Sequence, residues 1–386
     1  MAVSVAVGVS DELDPVEAFD LAAGQAAAAL GGRCDLAIVF AGAPHLTHAK
    51  PILSTVHERL GPRSLIGCGA GGVVGGGREL ESGPGAVVWA LHAPAARIST
   101  HHLEAEPADD GVGVSGLPDP GALGDGVIVL ADPYTFSAEA LLGSLNTARP
   151  GMPVLGGLAS AAAAGSAALF RDGEVLDGGA VAASVEGVAM VPCVSQGATP
   201  VGPEMTITAA RGNVISELAS KPAIERLGEA IGELDPRGQS LVAQGLMLGI
   251  VIDENQPAYE RGDFLVRPIL GADPESGSLA LGERVRVGQT VRMHVRDGAT
   301  ADEDLRDALR LQVTALGEGG AAGALLFTCN GRGSHMFETP DHDALALEDA
   351  LGAPAGGFFC AGEIGPVGGR NFLHGFTATI AVFPNA

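Results

Sequence analysis

Apolar runs and their spacing divide this chain into a pattern that recurs three times. The first copy opens on "DLAIVF", a short β-rich run, followed by the loop "AGAPHLTHAK" and the segment "PILSTVHERLG". In that segment Ile52, Leu53, Val56 and Leu60 share one helical face, Pro51 suits a first turn and Gly61 a stop. A strand "SLIG", a glycine-rich stretch "CGAGGVVGGG" and a closing run "GAVVWAL" complete the copy. The second copy runs from "GVIVL" through "ADPYTF" and "SAEALLGSLNTA", with Ser137 as N-cap, to "PVLGGLASA" and "GAVAASV". The third runs from "GALLF" through "TCNGRGSHMFETP" and "DHDALALEDALG" to "GGFFCAGEIGPVGG" and "GFTATIAVF". Each copy reads strand, loop, helix, strand, glycine turn, strand.

Helix crossovers imply parallel strand pairs and glycine turns imply antiparallel hairpins. The expected fold is therefore α/β, with mixed β-sheets covered by helices and repeated units in two domains. The stretch "ATPVGPEMTITAARGN" marks the junction, giving domains at 1–198 and 199–386. Between the second and third copies lies a strand meander from "GLMLGIVIDEN", then a helix expected to open with a capping box from Thr300 to Glu303.

Composition narrows the function classes. Of 386 residues 46% are hydrophobic and only 4% aromatic, so small aliphatic side chains build the interior. A formal net charge of −24 repels phosphate backbones and anionic lipid, against nucleic-acid or membrane-surface binding. "MAVSVAVGVS" reads as a first strand rather than a signal peptide, and no apolar run reaches the length of a membrane helix. Five cysteines without CxxC spacing point to reduced thiols and a cytoplasmic setting.

Gly67, Gly69 and Gly72 match GxGxxG, but "VVGGG" follows where a dinucleotide site needs a helix N-terminus. A glycine hairpin is the better reading. The loop "FTCNGRGSH" leaves a buried strand, the place where α/β proteins collect ligands. Asn330, Gly331 and Gly333 permit positive φ and could aim backbone amides at an anion, and Arg332 offers a fork for a carboxylate. The plainer alternative is an arginine that holds its own loop to an Asp or Glu. Gly362 and Glu363 follow the neighbouring strand of the same copy, and His374 returns beneath them. The expected ligand site is thus Asn330, Gly331, Arg332, Gly362, Glu363 and His374, with opposite charges suited to a zwitterion such as an amino acid. Cys329 and Cys360, with His335 and His374 near, lack metal-site spacing, and no GxSxG, HExxH or P-loop occurs. No cofactor, metal or catalytic residue is expected.

"DLAIVF", "LIGCGAGGV", "GGLASA", "SQGATPVGPEMTITAARGNVISEL", "FTCNGRG" and "GFFCAGEIGPVGGRNFLHGFTATIAVF" together resemble the FIST family, over nearly the whole chain. The resemblance implies an N-terminal and a C-terminal FIST domain, and a sensory module that binds a small ligand such as an amino acid and serves a signalling partner protein. Two other classes remain open: an enzyme using Cys329 or Glu363 with His374 on a small amino- or carboxylate-bearing metabolite, and a protein-binding scaffold.

Overall fold

The computed structural model describes residues 3–108, 111–161 and 168–385. The protein is α/β, with 27% helix and 43% strand in mixed sheets. Its contacts group into two units. One comprises 1–194, 305–373 and 377–386; the other comprises 195–304 and 374–376. The chain leaves the first unit after residue 194 and returns to it at Leu305, bringing the third repeat except Gly375 and Phe376 of its closing run.

Within the first unit each repeat forms the expected parallel pair. Leu36–Gly42 lies beside Ser64–Ala70, Gly126–Ala131 beside Val154–Leu158, and Ala321–Cys329 beside Ala355–Cys360. The crossovers are the helices Ala49–Leu60, Ala138–Ala148 and His342–Leu351. Ser137 caps the second of these by accepting from Ala140 N at 3.3 Å. The closing strands Ala86–His92, Ala180–Glu186 and Thr377–Pro384 run antiparallel to the first strand of their own repeat.

The hairpins are exchanged. The first repeat's hairpin, Val73–Gly75 with Arg78–Leu80, adds to Ala355–Cys360 of the third repeat. The third repeat's Glu363–Val367 adds to Val154–Leu158 of the second. The second repeat's Leu169–Arg171 adds to Ser64–Ala70 of the first. Three exchanges close a ring, so no repeat has a complete sheet by itself. The stretch read as GxGxxG enters this hairpin, not a helix.

One glycine per repeat makes the crossover fit. Gly67, Gly156 and Gly357 lie opposite Val39, Val129 and Leu326 in the parallel registers. A Cβ there would stand 2.3, 1.8 and 1.7 Å from the partner's carbonyl oxygen. The main core spans the three sheets and includes Phe40, Trp89, Leu130, Phe327, Phe358 and Phe383. Phe40 and Phe358 stack at 4.9 Å, and the Trp89 indole donates to Ala324 O at 3.0 Å.

The second unit is a sheet of antiparallel pairings among Ala198–Arg211, Thr290–Arg296, Leu246–Val251 and Phe264–Asp273, extended by shorter strands. The helices Ala223–Gly232 and Pro236–Gln244 accompany it. The helix Gly298–Leu316 begins two residues before Thr300, so the expected capping box falls inside its first turn. There the Thr300 hydroxyl donates to Asp297 Oδ2 at 2.8 Å.

Candidate functional site

Two segments of the third repeat come together at the ends of adjacent strands. The loop after Ala321–Cys329 carries Asn330, Gly331 and Arg332, and the turn after Ala355–Cys360 carries Gly362 and Glu363. Asn330 N donates to Cys360 O at 3.0 Å and ties the two together. Asn330 and Ala361 are exposed, Cys329 and Gly331 half-buried, and Arg332 and Glu363 fully buried at 0%.

The Arg332 fork is occupied by an acid that the sequence reading did not single out. Arg332 Nε donates to Asp343 Oδ2 at 2.7 Å and Nη2 to Oδ1 at 2.8 Å, a bidentate geometry. Thr328 Oγ1 donates to Oδ2 at 2.7 Å, and His342 Nδ1 lies 2.9 Å from Oδ1. Burial opposes the Asp343 charge, yet Arg332 and these hydrogen bonds prevail and hold its carboxyl well below the usual range. The Phe337 ring stacks on His342 at 3.5 Å between centroids, with the Arg332 guanidinium 5.1 Å from the same ring. Asp343 and Ala344 in turn donate their backbone N–H groups to Glu79 Oε1, at 2.8 and 3.0 Å. Glu79 comes from the exchanged hairpin of the first repeat. Burial, then the Asp343 charge, pushes it up to about 7.

What remains for a ligand is narrower than the sequence suggested. The loop amides are taken: Gly331 N donates to Cys329 Sγ at 3.4 Å and Arg332 N to Cys329 O at 2.9 Å, beside the Asn330 bond above. Of the three residues read as able to adopt positive φ, Gly333 does so, at 59°. Two atoms stay buried without a hydrogen-bond partner, Arg332 Nη1 and Glu363 Oε1. Glu363 Oε2 accepts from Thr377 N at 3.1 Å and Thr377 Oγ1 at 2.9 Å. Burial raises the Glu363 pKa well above the carboxylate range, against the Thr377 bonds, the Arg332 charge and the Cys329 thiol. Arg332 and Glu363 are close enough for each to shift the other's ionisation. His374 is 5% exposed and belongs to the second unit, whereas the other five expected residues lie in the first.

The exchanged hairpins let the repeats be compared position by position. Glu363 lies opposite Gly157, as Leu169 lies opposite Cys68 and Val73 opposite Phe358. All three are at 0% exposure. A carboxyl therefore occupies a core position that the other two repeats fill with aliphatic side chains. In the second repeat, Thr135 on the corresponding loop borders a cavity of about 360 Å³ with His102, Glu104 and Asp177. The polar groups there are exposed or bonded: the Thr135 hydroxyl donates to Asp132 and accepts from Gly179 N, and His102 Nε2 lies 3.0 Å from Gly178 O.

Family models of the FIST N domain and the FIST C domain match residues 35–221 and 223–366. The chain belongs to the FIST family. The FIST N match covers the first two repeats, and the FIST C match covers most of the second unit and the third repeat up to the Glu363 turn. FIST domains are sensory domains that bind small ligands. The chain is 44% identical to the uncharacterized protein Rv0628c of Mycobacterium tuberculosis, over 98% of this chain and 99% of that one. It is 43% identical to the uncharacterized protein Mb0898c of Mycobacterium bovis, over 98% of each. Among the described residues no helix is long and apolar enough to cross a membrane, and no group of three or more His, Cys, Asp or Glu side chains is placed to hold a metal ion. All five cysteines are thiols.

Proposed function

We propose that this FIST protein is a cytoplasmic sensor whose third repeat binds a small amino acid or a similar metabolite, and that it signals through a partner protein without catalysis of its own. The observation that carries this reading is Glu363. A buried carboxyl is costly, and the same position in the other two repeats is aliphatic. Its unpartnered Oε1 and the unpartnered Arg332 Nη1 offer an acidic and a basic contact beneath Asn330, Gly331 and Gly362. The ligand ammonium would bind Glu363 and its carboxylate would bind Arg332 Nη1, which the Asp343 pair holds in place. Because the unliganded Glu363 carboxyl is held neutral by burial, binding of an ammonium releases its proton.

The test is a thermal-shift panel of amino acids, each beside the amine and the carboxylic acid that carry only one of its two groups. A ligand at a hundred times its dissociation constant adds about 2.7 kcal/mol to stability. The reading expects the amino acid to stabilise wild type more than either half-ligand and to lose that effect in Glu363→Gln. Equal shifts in wild type and a folded Glu363→Gln would place the ligand elsewhere.

A further inference from the structure

The second unit holds a separate cluster of buried polar atoms. Gln196 is 5% exposed and His294 0%. Gln196 Oε1, His294 Nε2 and Arg261 Nε are all buried without hydrogen-bond partners. Contacts through Asp304 and Phe264 link the three residues. Gln196 N donates to Asp304 Oδ2 at 2.7 Å, and Arg261 Nη1 lies 3.4 Å from Asp304 Oδ1. Gln196 Nε2 donates to Phe264 O at 3.0 Å, and the Phe264 and His294 rings meet edge to face at 4.9 Å. Tyr259 packs edge-on against Phe264 at 6.0 Å, and Phe376 joins the same apolar group. Gly249 leaves space for the imidazole, since a Cβ there would stand 2.3 Å from it.

The hydrogen-bonding roles of the three atoms follow from their neighbours. His294 Nδ1 lies 3.0 Å from Arg292 O, and a carbonyl oxygen only accepts, so Nδ1 carries the proton. Burial lowers the His294 pKa to about 4, so the ring is neutral and Nε2 is an acceptor. Gln196 Nε2 is committed to Phe264 O, which leaves Oε1 as a second acceptor. Arg261 Nε is a donor, and its charge is matched by Asp304. The complement is a neutral group with one acceptor and two donors. A primary carboxamide has that inventory. A carboxylate lacks the donors, and an ammonium lacks the acceptor. We propose that Gln196, Arg261 and His294 form a second ligand site, in the inserted unit, for a small neutral primary amide.

Acetamide is the smallest probe, with acetate and ethylammonium as controls of similar size. The His294 Nε2 resonance, followed by nitrogen NMR in the full-length protein, should move with saturation on adding acetamide and stay in place with either control. Acetamide should also raise the unfolding temperature relative to the controls at equal concentration. His294→Phe keeps the ring contact and should abolish that difference. If His294→Phe does not fold, the wild-type nitrogen signal decides alone. An unmoved Nε2 signal with acetamide, or equal movement with all three probes, would overturn the assignment.

Discussion

The third repeat and the first two share a frame and differ in what they bury. All three place a glycine against the carbonyl of the paired strand and all three lend a hairpin to a neighbour. At the first position of that hairpin pairing, Val73 and Leu169 pack as core, whereas Glu363 brings a carboxyl to zero exposure. The loop that faces it differs as well: among the described residues, the third repeat alone sets a buried arginine and aspartate there as a bidentate pair. Repetition supplies the scaffold, and the departure from it marks the place where polarity serves something other than packing.

The largest effect should come from the arginine. Arg332→Ala leaves Asp343 buried and unpaired, which costs about 3–5 kcal/mol. Denaturant unfolding measures this, and a loss below about 1 kcal/mol would mean that the pair does not anchor the loop. The shared frame is probed by Gly357→Ala. Its Cβ would overlap Leu326 O, so the strands must part, at a cost of about 1–3 kcal/mol or more. Gly67→Ala, with a wider gap, should cost less. Equal tolerance at both would break the claim that the glycines are equivalent but unequally tight.

The smallest effect is a pH dependence at Glu79. Its folded pKa is raised from 4.5 to about 7. Its contribution to stability is therefore fully present below the unfolded value and is lost as pH rises through 7. Glu79→Gln should remove part of that decline, on the order of 1–3 kcal/mol between about pH 4.5 and 8. Parallel stability profiles for the variant and wild type would show that Glu79 titrates as it does in the unfolded chain.

Much of this frame was legible in the sequence. The helices at Ala49–Leu60, Ala138–Ala148 and His342–Leu351, and the parallel partnership of the strands around "GALLF" and "GGFFC", follow from apolar period and glycine punctuation. The exchange of hairpins was not legible, because a glycine turn specifies a hairpin but not the sheet that receives it. Pairing across repeats depends on the whole fold. The same limit hid Asp343 and Glu79. "DHDALAL" reads as an acidic helix start, and nothing local says that Asp343 turns inward to Arg332 rather than outward to water. Arg332 and Glu363 stood out because a charged residue beside glycine and aromatic runs is unusual for a core. Their true partners, Asp343 and Thr377, are set by tertiary packing.

Thermal unfolding of wild type and Glu363→Gln from pH 5 to 9, without ligand and with the amino acid that the panel selects, tests the central claim most directly. Without ligand, Gln keeps an acceptor for Thr377 but cannot ionise. The account predicts a variant at least as stable as wild type, with its advantage growing as pH rises toward about 8, because the unfolded wild-type chain ionises Glu363 in that range while the folded protein keeps it protonated. It also predicts that ligand no longer stabilises the variant. A variant less stable at every pH that keeps the full ligand-induced shift would contradict it.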